Sequence, residues 1–387
     1  MIRFAGLDFL RGFGVVLCLV LTFGQYLPLK DELVVYWQFL LPLFGFVSGA
    51  TLTVTALQRT HKHPWQLVYR WTFFHSLLLI LVGLLGKWIF SQGLARSVPL
   101  GRTWGFLGSQ WGFGSWSGWE SWALSDLVTS LGLGLMVFGL VLRWVFRKDV
   151  EEHFTSHWII MASLAMVFTF GAVLTGTVTL PSPLFLAGKL LFQGFFPVML
   201  SLATLFWGGL LGLLLVTKKR PWEAPVAVIL AFVVPLALLG FQALGANPEM
   251  VGWIPFLQAL DLTFLFSFAL IILKAAHPQP GTTTGWFRII SRPLRSFGRL
   301  PLTIFFLSPM TAMGLVRLVE AFGLSWSQIP FWGILLFGGA LVLFWGIVLG
   351  QWKKVSYRGS PDWLVQYALR WTGKPSSRLQ FLLDDGE

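Results

Sequence analysis

The sequence predicts an all-α protein, a polytopic bundle crossing the bilayer about ten times with both ends in the cytoplasm. Three observations carry that expectation: the composition, the length of the apolar runs, and the alternation of charge between them. Of 387 residues, 56% are hydrophobic and only 11% charged, and the mean hydropathy is +0.73. Soluble domains carry about 25% charged residues, so this chain lacks the polar covering that a water-facing surface needs. The net charge of +12 does not read as a nucleic-acid footprint. Its positive residues lie in short clusters between apolar runs, which is how cytoplasmic loops look.

The runs are long enough for helices, since roughly 20 apolar residues span the hydrocarbon at about 1.5 Å each. They fall near 8–28, 34–57, 71–91, 122–145, 158–178, 190–216, 225–244, 254–274, 300–322 and 330–350. One set of loops holds Arg59, Lys62 and Arg70, then Arg143, Arg147 and Lys148, then Lys218, Lys219 and Arg220. The same side takes Lys274, Arg288, Arg292, Arg295 and Arg299, and finally Lys353, Lys354 and Arg358. The opposite side has Lys30, Arg96, Arg102 and Lys189. The positive-inside rule makes the rich side cytoplasmic and the span count even. Residues 1–350 thus form the bundle and 351–387 a cytoplasmic tail, in a bacterial-type inner membrane. An outer membrane would call for a barrel instead.

Taken in order, the first run opens with Asp8 and Arg11, three apart on a helix and able to pair at the cytoplasmic boundary. These charges, and the lack of a small-residue cleavage site after the run, argue against a removed signal peptide. Cys18 is the single cysteine, which excludes a disulfide framework and a cysteine-based metal site. The loop after the second run carries His61 and His63, two donors without a third, so a solvated surface is expected there. His75, one turn into the third run, suits a hydrogen bond to a neighbouring helix. Residues 103–121, TWGFLGSQWGFGSWSGWES, read as an interfacial anchor or as rings for a sugar or lipid headgroup. Asp126 begins the fourth run at the outer boundary. His153 and His157 share a helical spacing in a loop. Asp261 lies about a third of the way into the eighth run without an evident local partner. Arg317 and Glu320 repeat the three-residue pairing in the ninth. In the tail, PDWLVQYALRW places Trp363, Leu364, Tyr367, Ala368 and Trp371 at helical spacing. That suits an amphipathic helix on the inner leaflet or against the bundle. No Walker loop, dinucleotide fingerprint or HExxH motif is present.

The first two runs also resemble a known family. LDFLRGFGVVLCLVLTF, with Asp8, Arg11 and Gly12, is similar to the opening of the heparan-α-glucosaminide N-acetyltransferases and of the wider acyltransferase-3 group. LLPLFGFVSGATLTVTALQR, with Pro42, Phe44, Phe46, Ser48, Gly49 and Arg59, resembles their second span. RSFGRLPLTIFFLSPM and RGSPDWLVQYALRW resemble the closing segments of bacterial relatives. The resemblance covers about 120 residues by this reading. It implies transfer of an acyl group from a cytoplasmic donor, acetyl-CoA or another acyl-CoA, to a sugar hydroxyl or amine on the far side. Such chemistry needs a base for the acceptor and a donor for the developing oxyanion.

The sequence departs from the family at the expected base. In acyltransferase-3 proteins a histidine stands eleven residues after the arginine, and in heparan-type enzymes an asparagine; here the position is Thr22. The loop beyond, GQYLPLKDE, holds no histidine. An active enzyme would rely on a rearranged site of Arg11, Thr22, Gln25 and Asp31, with Glu32 as a further carboxylate. Asp8, Ser48, Asp126, Asp261 and Arg317 are the polar groups available for binding. The alternative is a catalytically silent relative serving other integral-membrane subunits. Transport, through Asp261 and Arg317, is a third reading. Besides the bilayer and those subunits, no nucleic acid or metal is expected as a partner.

Overall fold

The computed structural model describes residues 5–24, 30–60, 65–88, 127–146, 152–173, 198–217, 293–323 and 331–370, with isolated positions 226, 229, 233 and 269. These residues are helical or in turns between helices, with no strand among them. The helices are α1 (Ala5–Gly24), α2 (Lys30–Thr60), α3 (Trp65–Trp88), α4 (Leu127–Val145) and α5 (Phe154–Val173). They continue with α6 (Val198–Thr217), α7 (Pro301–Ala321), α8 (Phe331–Lys354) and the short α9 (Pro361–Arg370). Among the described residues, five helices are long and apolar enough to cross a membrane: α3, α4, α5, α6 and α8. The expected runs near 225–244 and 254–274, with Asp261, lie outside the described residues apart from the four isolated positions, as do Asp126, His61, His63 and the Trp-rich segment.

The chain divides into two compact units. One takes Leu41–Ile271 and the other Ile2–Leu40 with Ile272–Glu387. The change falls inside α2 beside Pro42, where the ring removes a backbone donor from the helix.

In the first unit α6 is the central element. Every side chain from Ser201 to Leu213 is buried, because the helix is wrapped by neighbours on all faces. Its contact with α2 is set by small residues four apart on both helices, Gly45 and Gly49 against Gly208 and Gly212. A Cβ on Gly208 would strike the carbonyl of Phe46, and one on Gly49 the carbonyl of Leu205. The two backbones therefore touch directly, and van der Waals contact replaces the hydrophobic drive that lipid does not supply. On another face, Phe206 lies edge-on to Phe138 of α4 at 4.9 Å and stacked on Phe168 of α5 at 5.0 Å. Trp207 Nε1 donates to Thr169 Oγ1 at 3.0 Å, and that hydroxyl donates back to the Ala165 carbonyl at 2.7 Å. A polar ring edge inside an apolar bundle is satisfied in this way without a charge.

In the second unit α1 packs along α8 and α7. Leu7, Leu10, Val15, Cys18 and Leu19 are buried on α1, facing a core that includes Ile304, Leu341, Trp345 and Leu349. Trp345 Nε1 donates to Thr311 Oγ1 at 3.3 Å. After α8 the chain reverses through Val355–Gly359, with Ser356, Tyr357 and Gly359 in the left-handed region at φ 56°, 55° and 79°. Such a conformation costs on the order of 1 kcal/mol for a residue with a Cβ. It is held by Tyr357 N–H to the Trp352 carbonyl at 3.1 Å and Trp352 Nε1 to the Arg358 carbonyl at 3.0 Å. The reversal delivers Ser360 as the N-cap of α9, its Oγ accepting from Trp363 N–H at 3.0 Å, with Pro361 following at the first helical position.

Candidate functional site

A polar grouping in the second unit forms where α1 begins, α7 begins and the tail returns. Helix α7 has no side-chain cap of its own, since Leu300 occupies its N-cap and Pro301 its first turn. The free backbone donors of that turn need an acceptor. Asp362 provides it from 59 residues away. Its Oδ2 accepts from Thr303 N–H at 2.7 Å and from Thr303 Oγ1 at 2.6 Å. The Leu302 N–H also reaches the carboxylate. A negative charge at this point also suits the positive end of the α7 dipole.

Burial pushes the Asp362 carboxyl up from its ordinary 3.8 to about 6, while the hydrogen bonds from Thr303 and Leu302 and the charge of Arg11 pull it down. Burial prevails because the carboxylate has exchanged water for protein. The Arg11 guanidinium from α1 is thus one charge facing this carboxylate. Arg299 faces the buried phenol of Tyr357: burial raises the phenol above 10.0, and the nearby Arg299 charge and hydrogen bond counter it.

Backbone contacts lock the same region. A Cβ on Gly12 would strike the Leu294 carbonyl, and one on Gly298 the carbonyl of Asp8. The pair is reciprocal, so α1 and the turn before α7 meet main chain to main chain. LDFLRG, RSFGRLPLT and RGSPDW, three of the four segments quoted above for their resemblance, meet here, whereas LLPLFGFVSGATLTVTALQR lies almost wholly in the first unit.

Asp8 and Arg11 belong to this cluster and are partly buried. Thr22 lies in the last turn of α1 and Asp31 in the first turn of α2, whereas Gln25 lies outside the described residues. Because α1 is one continuous helix, Arg11 and Thr22 stand about 16 Å apart along its axis. Ser48 lies in the first unit, beside Gly49 on α2. Arg317 pairs with Glu320 at 3.0 Å on the exposed part of α7, the i,i+3 arrangement its spacing anticipates. His157 packs edge-on against Phe146 at 5.2 Å, and His153 approaches Glu152 at 3.8 Å. Among the described residues no three His, Cys, Asp or Glu side chains gather as metal ligands.

Sequence reasoning missed Asp362, Thr303, Arg299 and Tyr357. Ser360, Pro361 and Asp362 entered the sequence reading only within RGSPDWLVQYALRW, an amphipathic helix with a family resemblance, and not as site residues. A cap supplied across the fold leaves no local spacing to detect. Compared with known proteins, the chain matches no family model, no curated protein and no solved structure.

Proposed function

We propose that the chain is a membrane-embedded protein of acyltransferase type, crossing a bacterial-type inner membrane about ten times with both ends in the cytoplasm. It takes an acyl group from a cytoplasmic acyl-CoA and delivers it to a sugar-type acceptor on the far side. What supports this reading is the spacing of Arg11 and Thr22 along the continuous helix α1, about 16 Å by its rise. An acyl-CoA is a long donor, anionic at its phosphates and reactive at the thioester, with an extended arm between. Arg11, at the end where basic segments gather, suits the phosphates. Thr22, followed in the chain by Gln25 and Asp31, suits the thioester end. Its hydroxyl can donate to the developing oxyanion, and Asp31 supplies a carboxylate for the acceptor's proton. Asp362 stands in the same cluster, holding the start of α7 through Thr303.

The test uses full-length protein in nanodiscs and acetyl-CoA. Arg11→Gln is expected to raise KM about tenfold with little change in kcat, as for one lost charge-assisted contact. Thr22→Ala is expected to lower kcat by about a hundredfold. Absence of both binding and turnover for every acyl-CoA tried overturns the reading.

A second reading is favoured by the Gly12–Leu294 and Gly298–Asp8 contacts, which give the signature residues a structural task independent of catalysis. Under it the chain is a silent relative that serves a larger membrane assembly. It would then co-purify with other integral-membrane subunits in fixed stoichiometry, and Arg11→Gln would change assembly yield alone.

A further inference from the structure

The reversal after α8 carries a surface that the acyl-transfer reading does not use. The apolar span of α8 ends at Lys354, so the turn that follows starts where the helix leaves the hydrocarbon. Lys353, Lys354 and Arg358 are exposed within six consecutive positions. Val355, Leu364 and Tyr367 are exposed beside them, at 55%, 53% and 43% of their surface. Leu364 and Tyr367 are three apart on α9 and so share a face. That face differs from the one that clamps α7. Asp362 holds the start of α7, and Trp363 stacks on the Tyr367 ring at 5.0 Å.

The arrangement combines exposed apolar side chains with adjacent cations at the foot of a membrane helix. Water is a poor solvent for the first group, and a neutral lipid surface offers little to the second. A bilayer surface with negative headgroups satisfies both at once: the apolar groups sink to the acyl boundary and the cations lie among the headgroups. The left-handed residues Ser356 and Tyr357 hold the hook in shape before any lipid arrives, so little ordering cost remains.

We infer that residues 353–367 form a docking hook for anionic lipid, with Lys353, Lys354 and Arg358 binding the headgroups and Val355, Leu364 and Tyr367 inserting beside them. One face of α9 thus rests on the bundle and the other on the leaflet. The sequence alone left these as alternatives.

The test is hydrogen exchange of the backbone over 353–370 in full-length protein, in nanodiscs of phosphatidylcholine alone and with about one third phosphatidylglycerol. Both nanodisc leaflets have the same composition, so the result does not depend on which side the tail occupies. Exchange is expected to slow about threefold or more in the anionic discs, because each basic group near the surface adds to binding. The difference should shrink at high salt and vanish in the Lys353→Gln/Lys354→Gln/Arg358→Gln variant, while exchange in α4 and α6 stays the same. Equal exchange in the two lipids, or a lipid dependence that survives in the triple variant, overturns the proposal. Neither outcome bears on acyl-CoA turnover, so the two proposals fail separately.

Discussion

Asp362 shows how one side chain can join distant parts of the chain. It completes α7, faces Arg11 of α1 and sits at the start of α9. Its folded pKa of about 6 exceeds the unfolded value of 3.8, so the folded state holds the proton more tightly. The stability this adds is full below about 3.8 and is lost as pH rises through about 6. Thermal unfolding of full-length protein should therefore show a midpoint that falls between pH 4 and 7. Asp362→Asn keeps an oxygen acceptor and removes the titration, so its curve should be flatter. Parallel curves for the two proteins would contradict this. Gly12 makes a different demand. Gly12→Ala sets a Cβ against the Leu294 carbonyl, which is backbone and cannot swing aside. A loss on the order of 2 kcal/mol is expected, read as a lower yield of monodisperse protein. Arg11 was legible in the sequence as a charge opening an apolar run, and Gly12 only through the resemblance of that opening. Asp362 and Thr303 were not, since nothing local links position 362 to position 303.

At the level of elements, five of the described helices are long and apolar enough to cross a membrane, whereas apolar length gave no sign of the backbone contacts. The runs near 71–91 and 158–178 correspond to α3 and α5, shifted by a few residues at each end. Hydropathy reports where water is excluded, whereas helix ends depend on caps and turns. It also treats glycine as nearly neutral, and so gave no weight to the four-residue spacing of Gly45 and Gly49 or of Gly208 and Gly212. That spacing decides how closely α2 and α6 approach. Gly208→Leu should prevent the contact and abolish folded protein in size-exclusion chromatography, because the Phe46 backbone lies against it. Gly350→Ala is the matched control, with nothing within 4 Å of the new methyl. It should be neutral or stabilising by about 0.5–1 kcal/mol, as alanine is the better helix former. Similar losses for both substitutions would show that helix flexibility, not close approach, is what the glycines provide.

For the whole molecule, a charged fraction of 11% pointed to a membrane protein and the length of the apolar runs to helices. The described residues are helical, with five helices long and apolar enough to cross a membrane. The charge alternation predicts both ends inside on separate grounds, and reporter fusions at Arg59, Lys148, Lys219 and Arg358 should all report the cytoplasmic side. A reporter at Lys189 should report the opposite side, and any exchange between the groups would revise the span count. Function was less legible. No known family matches the chain. LDFLRG, RSFGRLPLT and RGSPDW meet around Arg11 and Asp362, which gives those segments a common place without giving them a reaction. The most direct measurement follows an acyl label across the membrane. Proteoliposomes enclosing an amino sugar are supplied with labelled acetyl-CoA outside, and the lumen is then analysed. The account predicts labelled sugar inside wild-type vesicles and about tenfold less with Arg11→Gln at donor concentrations below KM. Label that stays on the CoA in wild-type vesicles, whatever acceptor is enclosed, would contradict it.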